Sequence, residues 1–138
     1  MPPMTSTTTL LGSQMPTFEL PDGNGAMYAP QVGSHRGHLV IFMCNHCPYV
    51  IHVARLLAAL GSDLPPRGVE VIAINANNRQ THPDDAPDKM VEAAAEHGWT
   101  FPYLFDETQE VATAFGAVCT PDVFLYDGDG RLYYRGQF

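Results

Sequence analysis

From His38 to Met43 the chain reads His-Leu-Val-Ile-Phe-Met, an almost unbroken apolar run of β-forming residues. Such a run predicts a central strand covered on both faces. It leads directly into Cys44-Asn45-His46-Cys47-Pro48, after which Val50, Val53, Leu56, Leu57 and Leu60 recur at spacings of three and four. That periodicity predicts a helix with Pro48 in its first turn, where a missing N–H is no loss, and Gly61 as its stop. Val69 to Ile74 is a second apolar strand, expected to run parallel to the first because a helix separates them. Asp85 is placed to cap a helix carrying Met90, Val91, Ala94 and Ala95, which Gly98 ends. Asp106 with Gln109 three residues later predicts a capping box for a short helix through Val111, Ala114 and Phe115. Val123–Tyr126 and Leu132–Tyr134 read as two strands, and Asp127-Gly128-Asp129-Gly130 between them is strong hairpin-turn chemistry.

Upstream, residues 1–14 are rich in Thr and Ser without periodicity and read as a flexible N-terminal arm. Thr17 to Leu20 is a candidate short strand that ends in the turn Pro21-Asp22-Gly23-Asn24-Gly25. No internal repeat or second linker follows, so one domain is expected over 15–138. The order of strand, helix, strand, helices, hairpin is that of an α/β domain with a central mixed sheet flanked by helices. A chain of 138 residues with 45% hydrophobic content suits one such domain with its own core.

Charge and cysteine content narrow the function classes. Fifteen acidic against seven basic residues leave a formal charge of −8, which argues against nucleic acid and against an anionic membrane surface. The start of the chain lacks the basic and apolar regions of a secretory leader, and no stretch of about 18 apolar residues is present to span a bilayer. The cytoplasm is the expected compartment, where a structural disulfide is rare. Three cysteines are also an odd number for a stapled fold.

Cys44 and Cys47, three apart at the junction of a buried strand and a helix, form the chemically informative feature. Such a pair can close a small disulfide ring, and the positive end of the helix favours thiolate over thiol. Cys44, read as nearer solvent, is expected to attack a disulfide; Cys47, one turn in, is expected to resolve the mixed disulfide. Asn45 and His46 between them tune the pair. A protonated His46 would hold the Cys44 thiol below its free pKa of about 8.5. A lone pair at this spacing is also half of many zinc sites, to which His46 and His52 could add ligands, but there is no second such pair. His35, His38, His82 and His97 show no ligand spacing and read as surface or satisfied core residues. Asp127-Gly128-Asp129-Gly130 lacks the later Glu of a calcium loop and reads as a turn. No metal site and no cofactor beyond the cysteines are expected.

Four stretches carry a resemblance. They are Phe42-Met43-Cys44-Asn45-His46-Cys47-Pro48-Tyr49-Val50, Ile74-Asn75-Ala76-Asn77, the segment from Phe101 to Val111, and Cys119-Thr120-Pro121-Asp122-Val123-Phe124 with Tyr134 to Phe138 behind it. In these the chain resembles the thioredoxin superfamily, in its redoxin-like branch related to alkyl-hydroperoxide-reductase/thiol-specific-antioxidant proteins. The resemblance implies a thioredoxin-like fold, a dithiol at Cys44 and Cys47, and a cis bond before Pro121. Thr120 would then offer its backbone to an extended substrate segment. His46 further implies a pair more oxidising than that of thioredoxin, at about −270 mV.

Three departures accompany the resemblance. Met43 stands where thioredoxins carry Trp. Cys44 stands where peroxiredoxins place a Thr, three residues before the peroxide-attacking cysteine, which counts against simple peroxidase chemistry. The helix that normally follows the hairpin is missing, so the chain is either a truncation or has that face covered otherwise, as by a second copy in a homodimer.

Cys119, two residues before Pro121, reads as a third thiol, a metal ligand or a small buried hydrophobe. The leading function is thiol–disulfide exchange with protein or small thiol partners. The alternatives are a thiol peroxidase and a soft-metal module holding an ion such as Cu(I) through Cys44, Cys47 and either Cys119 or His46.

Overall fold

In the computed structural model, which describes residues 11–45, 48–77, 83–117 and 121–137, a five-stranded mixed sheet organises the chain. The elements are β1 (Leu20–Pro21), β2 (Met27–Tyr28), β3 (Gly37–Phe42), α1 (Pro48–His52), α2 (Ala54–Asp63), β4 (Val69–Asn75), α3 (Pro87–His97), β5 (Tyr103–Phe105), α4 (Glu110–Phe115), β6 (Asp122–Asp127) and β7 (Leu132–Gln137). The sheet order is β5-β4-β3-β6-β7, and β1 and β2 form a separate small hairpin. β3 pairs in parallel with β4 and antiparallel with β6, and every residue of β3 is buried. The apolar run is thus the central strand, as its lack of alternation implies.

The sheet divides the interior into two cores. Leu39, Ile41 and Met43 face Val50, Leu57, Met90, Trp99 and Phe101. Val40, Phe42, Ile72 and Ile74 face Phe115, Phe124, Tyr126 and the side chains of the N-terminal hairpin. Phe115 stands at the centre of an edge-to-face aromatic cluster with Phe18, Phe42, Phe124 and Tyr126 at centroid distances of 5.7, 5.2, 5.5 and 6.0 Å. No helix among the described residues is long and apolar enough to cross a membrane.

Several local expectations change. The helix after the cysteines is broken at Val53 into α1 and α2, and it runs on to Asp63 instead of stopping at Gly61. Gly61 serves packing: a Cβ there would lie 2.6 Å from Cδ2 of Phe101. Asp85 does not cap α3. It ends a 3-10 turn, the N-cap position falls to Ala86 without a side-chain bond, and the Asp85 carboxylate turns inward. Asp106 receives the Ala112 N–H at 2.8 Å at the start of α4, while Gln109 takes a left-handed backbone with φ 63°. Within the stretch read as an arm, Gly12 N–H bonds the Leu132 carbonyl at 2.7 Å while Leu132 N–H returns to the Ser13 carbonyl at 2.8 Å. Backbone pairing with the β7 edge, invisible to periodicity, holds it there. The strand expected over Thr17–Leu20 shrinks to Leu20–Pro21, and β2 and β5 are additional.

Candidate active site

Cys44 lies two residues beyond β3, between the central strand and α1. Its side chain is only 3% exposed, in the core that also holds Met43, Val50 and Tyr103. Cys44 was read as the thiol nearer solvent than Cys47; Cys44 is buried, and Cys47 lies outside the described residues. Met43 N–H continues the ladder onto the Ile74 carbonyl at 2.9 Å, so the chain is still inside the sheet when it reaches Cys44.

Around it stands a buried polar network that joins three separate segments. The Asn45 backbone N–H donates to Asp85 Oδ1 at 2.7 Å, and its side-chain Nδ2 donates to the Asp84 carbonyl at 2.7 Å. Asn75, at the end of β4, donates Nδ2 to Asp85 Oδ1 at 3.2 Å, and Asn77 donates Nδ2 to Asp85 Oδ2 at 2.8 Å. The Tyr103 hydroxyl donates to Asn45 Oδ1 at 2.8 Å and accepts from Asn75 Nδ2 at 3.4 Å. Asp85 and Asn75 are fully buried, which is tolerable because these partners satisfy them.

Burial pushes the Tyr103 hydroxyl well above its ordinary pKa of 10.0, and the charges of Asp85 and Cys44 push the same way. It stays protonated and remains a donor to Asn45. The network thus clamps the backbone one residue after the sulfur.

Pro121 is buried directly ahead of β6. The antiparallel register pairs Asp122 with Phe42, which brings this part of the chain to the Cys44 end of β3. Asp122 is anchored in turn by Arg135, whose Nη2 bonds Oδ2 at 2.8 Å and the Gly116 carbonyl at 2.9 Å, with the guanidinium 4.8 Å above the Phe124 ring. Of the residues singled out in the sequence, Cys44, Asn45 and Pro121 converge at this end of the sheet. His46, Cys47, Cys119 and Thr120 lie outside the described residues, as does the peptide bond before Pro121. A shallow cavity of about 390 Å³ beside Asn45 is lined by Ile51, Asp84, Lys89, Glu92 and His97.

The sequence reading gave Asp85 only the role of a helix cap and Asn75, Asn77 and Tyr103 only a part in the resemblance, and none of the four was read as a site residue. Asn75-Ala76-Asn77 at the end of an apolar strand is the signal that could have found them, because two amides there need buried partners.

With this architecture in place, residues 11–135 match the AhpC/TSA family. The chain belongs to the AhpC/TSA family. Among solved structures, this AhpC/TSA protein is similar to an uncharacterized conserved protein from Geobacillus kaustophilus, at 44% identity and TM-score 0.89 over 94% of this chain and 69% of the other. A hypothetical protein from Sinorhizobium meliloti is 39% identical at TM-score 0.89, covering 93% of this chain and 70% of that one. The thiol-disulfide oxidoreductase ResA of Geobacillus thermodenitrificans is 28% identical over 127 residues, 91% of this chain and 68% of that protein. A putative thiol:disulfide interchange protein DsbE from Chlorobium tepidum shares the fold at TM-score 0.76 and 17% identity. The AhpC/TSA protein is a redoxin-like member of the thioredoxin superfamily, with a thioredoxin-like α/β fold.

Proposed function

We propose that this protein is a thiol–disulfide oxidoreductase whose working pair is Cys44 and Cys47. The observation that carries the reading is the position of Cys44, directly between the buried central strand β3 and the start of α1 at Pro48. Membership of the AhpC/TSA family and the likeness to ResA support it. In the proposed cycle a thiolate of the pair attacks a substrate disulfide and releases one substrate thiol. The second thiolate then displaces the other, leaving the substrate reduced by two electrons and the pair oxidised. The partners are disulfide-bearing proteins or small thiols of the cytoplasm.

In this cycle Cys44 attacks and Cys47 resolves, the order read from the sequence. The test is a redox titration in glutathione buffers with Cys44→Ser and Cys119→Ser alongside. A reversible two-electron transition that survives loss of Cys119 and vanishes with Cys44 is expected. Trapping with a disulfide probe then gives a stable mixed disulfide in the Cys47→Ser chain, and trapping in Cys44→Ser alone overturns that order. Absence of the transition, or thiols protected until a chelator is added, overturns the reading in favour of a metal-binding role. The family match favours one further reading, a thiol peroxidase, for which stoichiometric consumption of peroxide is the distinguishing result.

A further inference from the structure

Asp85 is a buried carboxylate that the exchange cycle does not use. It is fully buried in a 3-10 turn between β4 and α3, where a charge must be met by hydrogen-bond partners. Oδ1 takes the Asn45 backbone N–H at 2.7 Å and Asn75 Nδ2 at 3.2 Å, and Oδ2 takes Asn77 Nδ2 at 2.8 Å. All three groups donate, so a proton on either oxygen would face an N–H. The surroundings therefore suit the anion.

The bond to Asn45 fixes how near that charge stands to the sulfur. By covalent geometry the Asn45 nitrogen is about 2.4 Å from Cα of Cys44. Asp85 Oδ1 is therefore no more than about 5 Å from that Cα and within about 8 Å of the sulfur two bonds beyond. Cys44 is itself buried, so little water screens the two groups. Tyr103 lies within reach of both: burial first, then the charges of Asp85 and of Cys44, raise its hydroxyl well above the ordinary 10.0. Like charges this close in the interior disfavour one another's ionised form. The same hydrogen bond also withholds the Asn45 N–H from a thiolate at Cys44.

From this geometry we infer that Asp85 is a positioning residue for Cys44, whose buried charge keeps Cys44 a thiol rather than a thiolate at neutral pH. The sign is opposite to that expected of a protonated His46. Its consequence rests on the cysteine pair being the working site: a dithiol is a strong oxidant when its reduced form is stabilised, and Asp85 withholds that stabilisation. The pair is then suited to reducing the disulfides of its partners. Little thiolate is present at any moment, but a thiolate of higher pKa is the stronger nucleophile. Other ionisable groups stand near. Lys89, Glu92, Glu96 and His97 of α3, with Asp84, line the cavity beside Asn45, and Lys89 already lies 3.7 Å from Glu92. The His35–His38–Glu70 cluster, with His38 Nδ1 2.7 Å from Glu70 Oε1, is at the far end of β3, about 20 Å along the strand from Cys44.

The test is a pH titration of ultraviolet thiolate absorbance in the full-length Cys47→Ser, Cys119→Ser chain, where Cys44 is the remaining thiol. Its transition is expected above the free value of about 8.5. Asp85→Asn keeps an oxygen to accept the Asn45 N–H and should lower that transition by about one pH unit, about tenfold more thiolate at a given pH below it. Tyr103→Phe opens the same network without removing a charge and should not lower it. A transition at or below about 8.5 before any change at Asp85 overturns the assignment, and this arm needs no variant of the network to fold. A transition that Asp85→Asn leaves in place, or that Tyr103→Phe lowers equally, also overturns it. This chain cannot close the Cys44–Cys47 disulfide, so the result stands apart from the glutathione titration, whose failure overturns the cysteine reading instead.

Discussion

Asp85 shows how much one side chain can decide. Its carboxylate holds the Asn45 backbone N–H and the side-chain amides of Asn75 and Asn77, all in the interior around Cys44. Asp85→Ala leaves these donors without an acceptor, and unsatisfied buried donors cost about 1–3 kcal/mol each. We expect a loss of about 3 kcal/mol or more in urea unfolding, with Asp85→Asn losing less because its amide oxygen still accepts. Asp106 gives a pH-dependent counterpart. Burial raises its pKa above the ordinary 3.8, against the opposing backbone N–H bonds from Ala112, Val111 and Gln109. The folded state therefore holds this proton more tightly than the unfolded chain, so the contribution of this group to stability grows as pH falls through the folded pKa toward 3.8. Urea midpoints measured across the acidic range should show that component in the wild type and lose it in Asp106→Asn. The inward turn of Asp85 was not legible from the sequence, whereas the place of Asp106 at the start of α4 was, though not its burial. Asp85 has the spacing of a helix cap and Asp106 that of a capping box, and only the buried donors around them show where each carboxylate turns.

The helices and strands respond to their neighbours in the same way. Gly61 reads as a helix stop, yet it lies inside α2 because the Phe101 ring occupies the space of its missing Cβ. Gly61→Ala gains about 1 kcal/mol of helix propensity and meets an overpacking cost of about 1–3 kcal/mol. A net loss of stability is expected, and Phe101→Leu in a double-mutant cycle should relieve it. For α4, one turn and a half long, the anchor is Phe115 at the centre of its aromatic cluster. Phe115→Ala should cost about 3–5 kcal/mol in thermal or urea unfolding, enough to test whether α4 stays docked. The strands β3, β4, β6 and β7 were legible because continuous apolar runs and an Asp-Gly-Asp-Gly turn are local signals. β5, three residues long, and β1 and β2, two each, are too short to carry a period.

The molecule as a whole is built around β3, whose two faces feed two cores and whose two ends lead to Cys44 and to the His35–His38–Glu70 cluster. Opening should therefore be uneven. Amide hydrogen exchange is expected to be slowest in β3, β4 and β6, and fastest in the β1–β2 hairpin, where few backbone bonds close the structure. The run from His38 to Met43 and the hairpin turn were enough to determine an α/β chain built on that central strand, and the cysteine spacing was enough to suggest the chemistry proposed at its end. These are short-range patterns, set by side-chain period and backbone turn preference, and they are written in consecutive residues. The burial of Cys44, the inward turn of Asp85, and the meeting of Glu70 with His35 and His38 were decided only by tertiary structure. Each depends on strand register and on which groups exclude water together, and those contacts join residues separated along the chain by tens of positions.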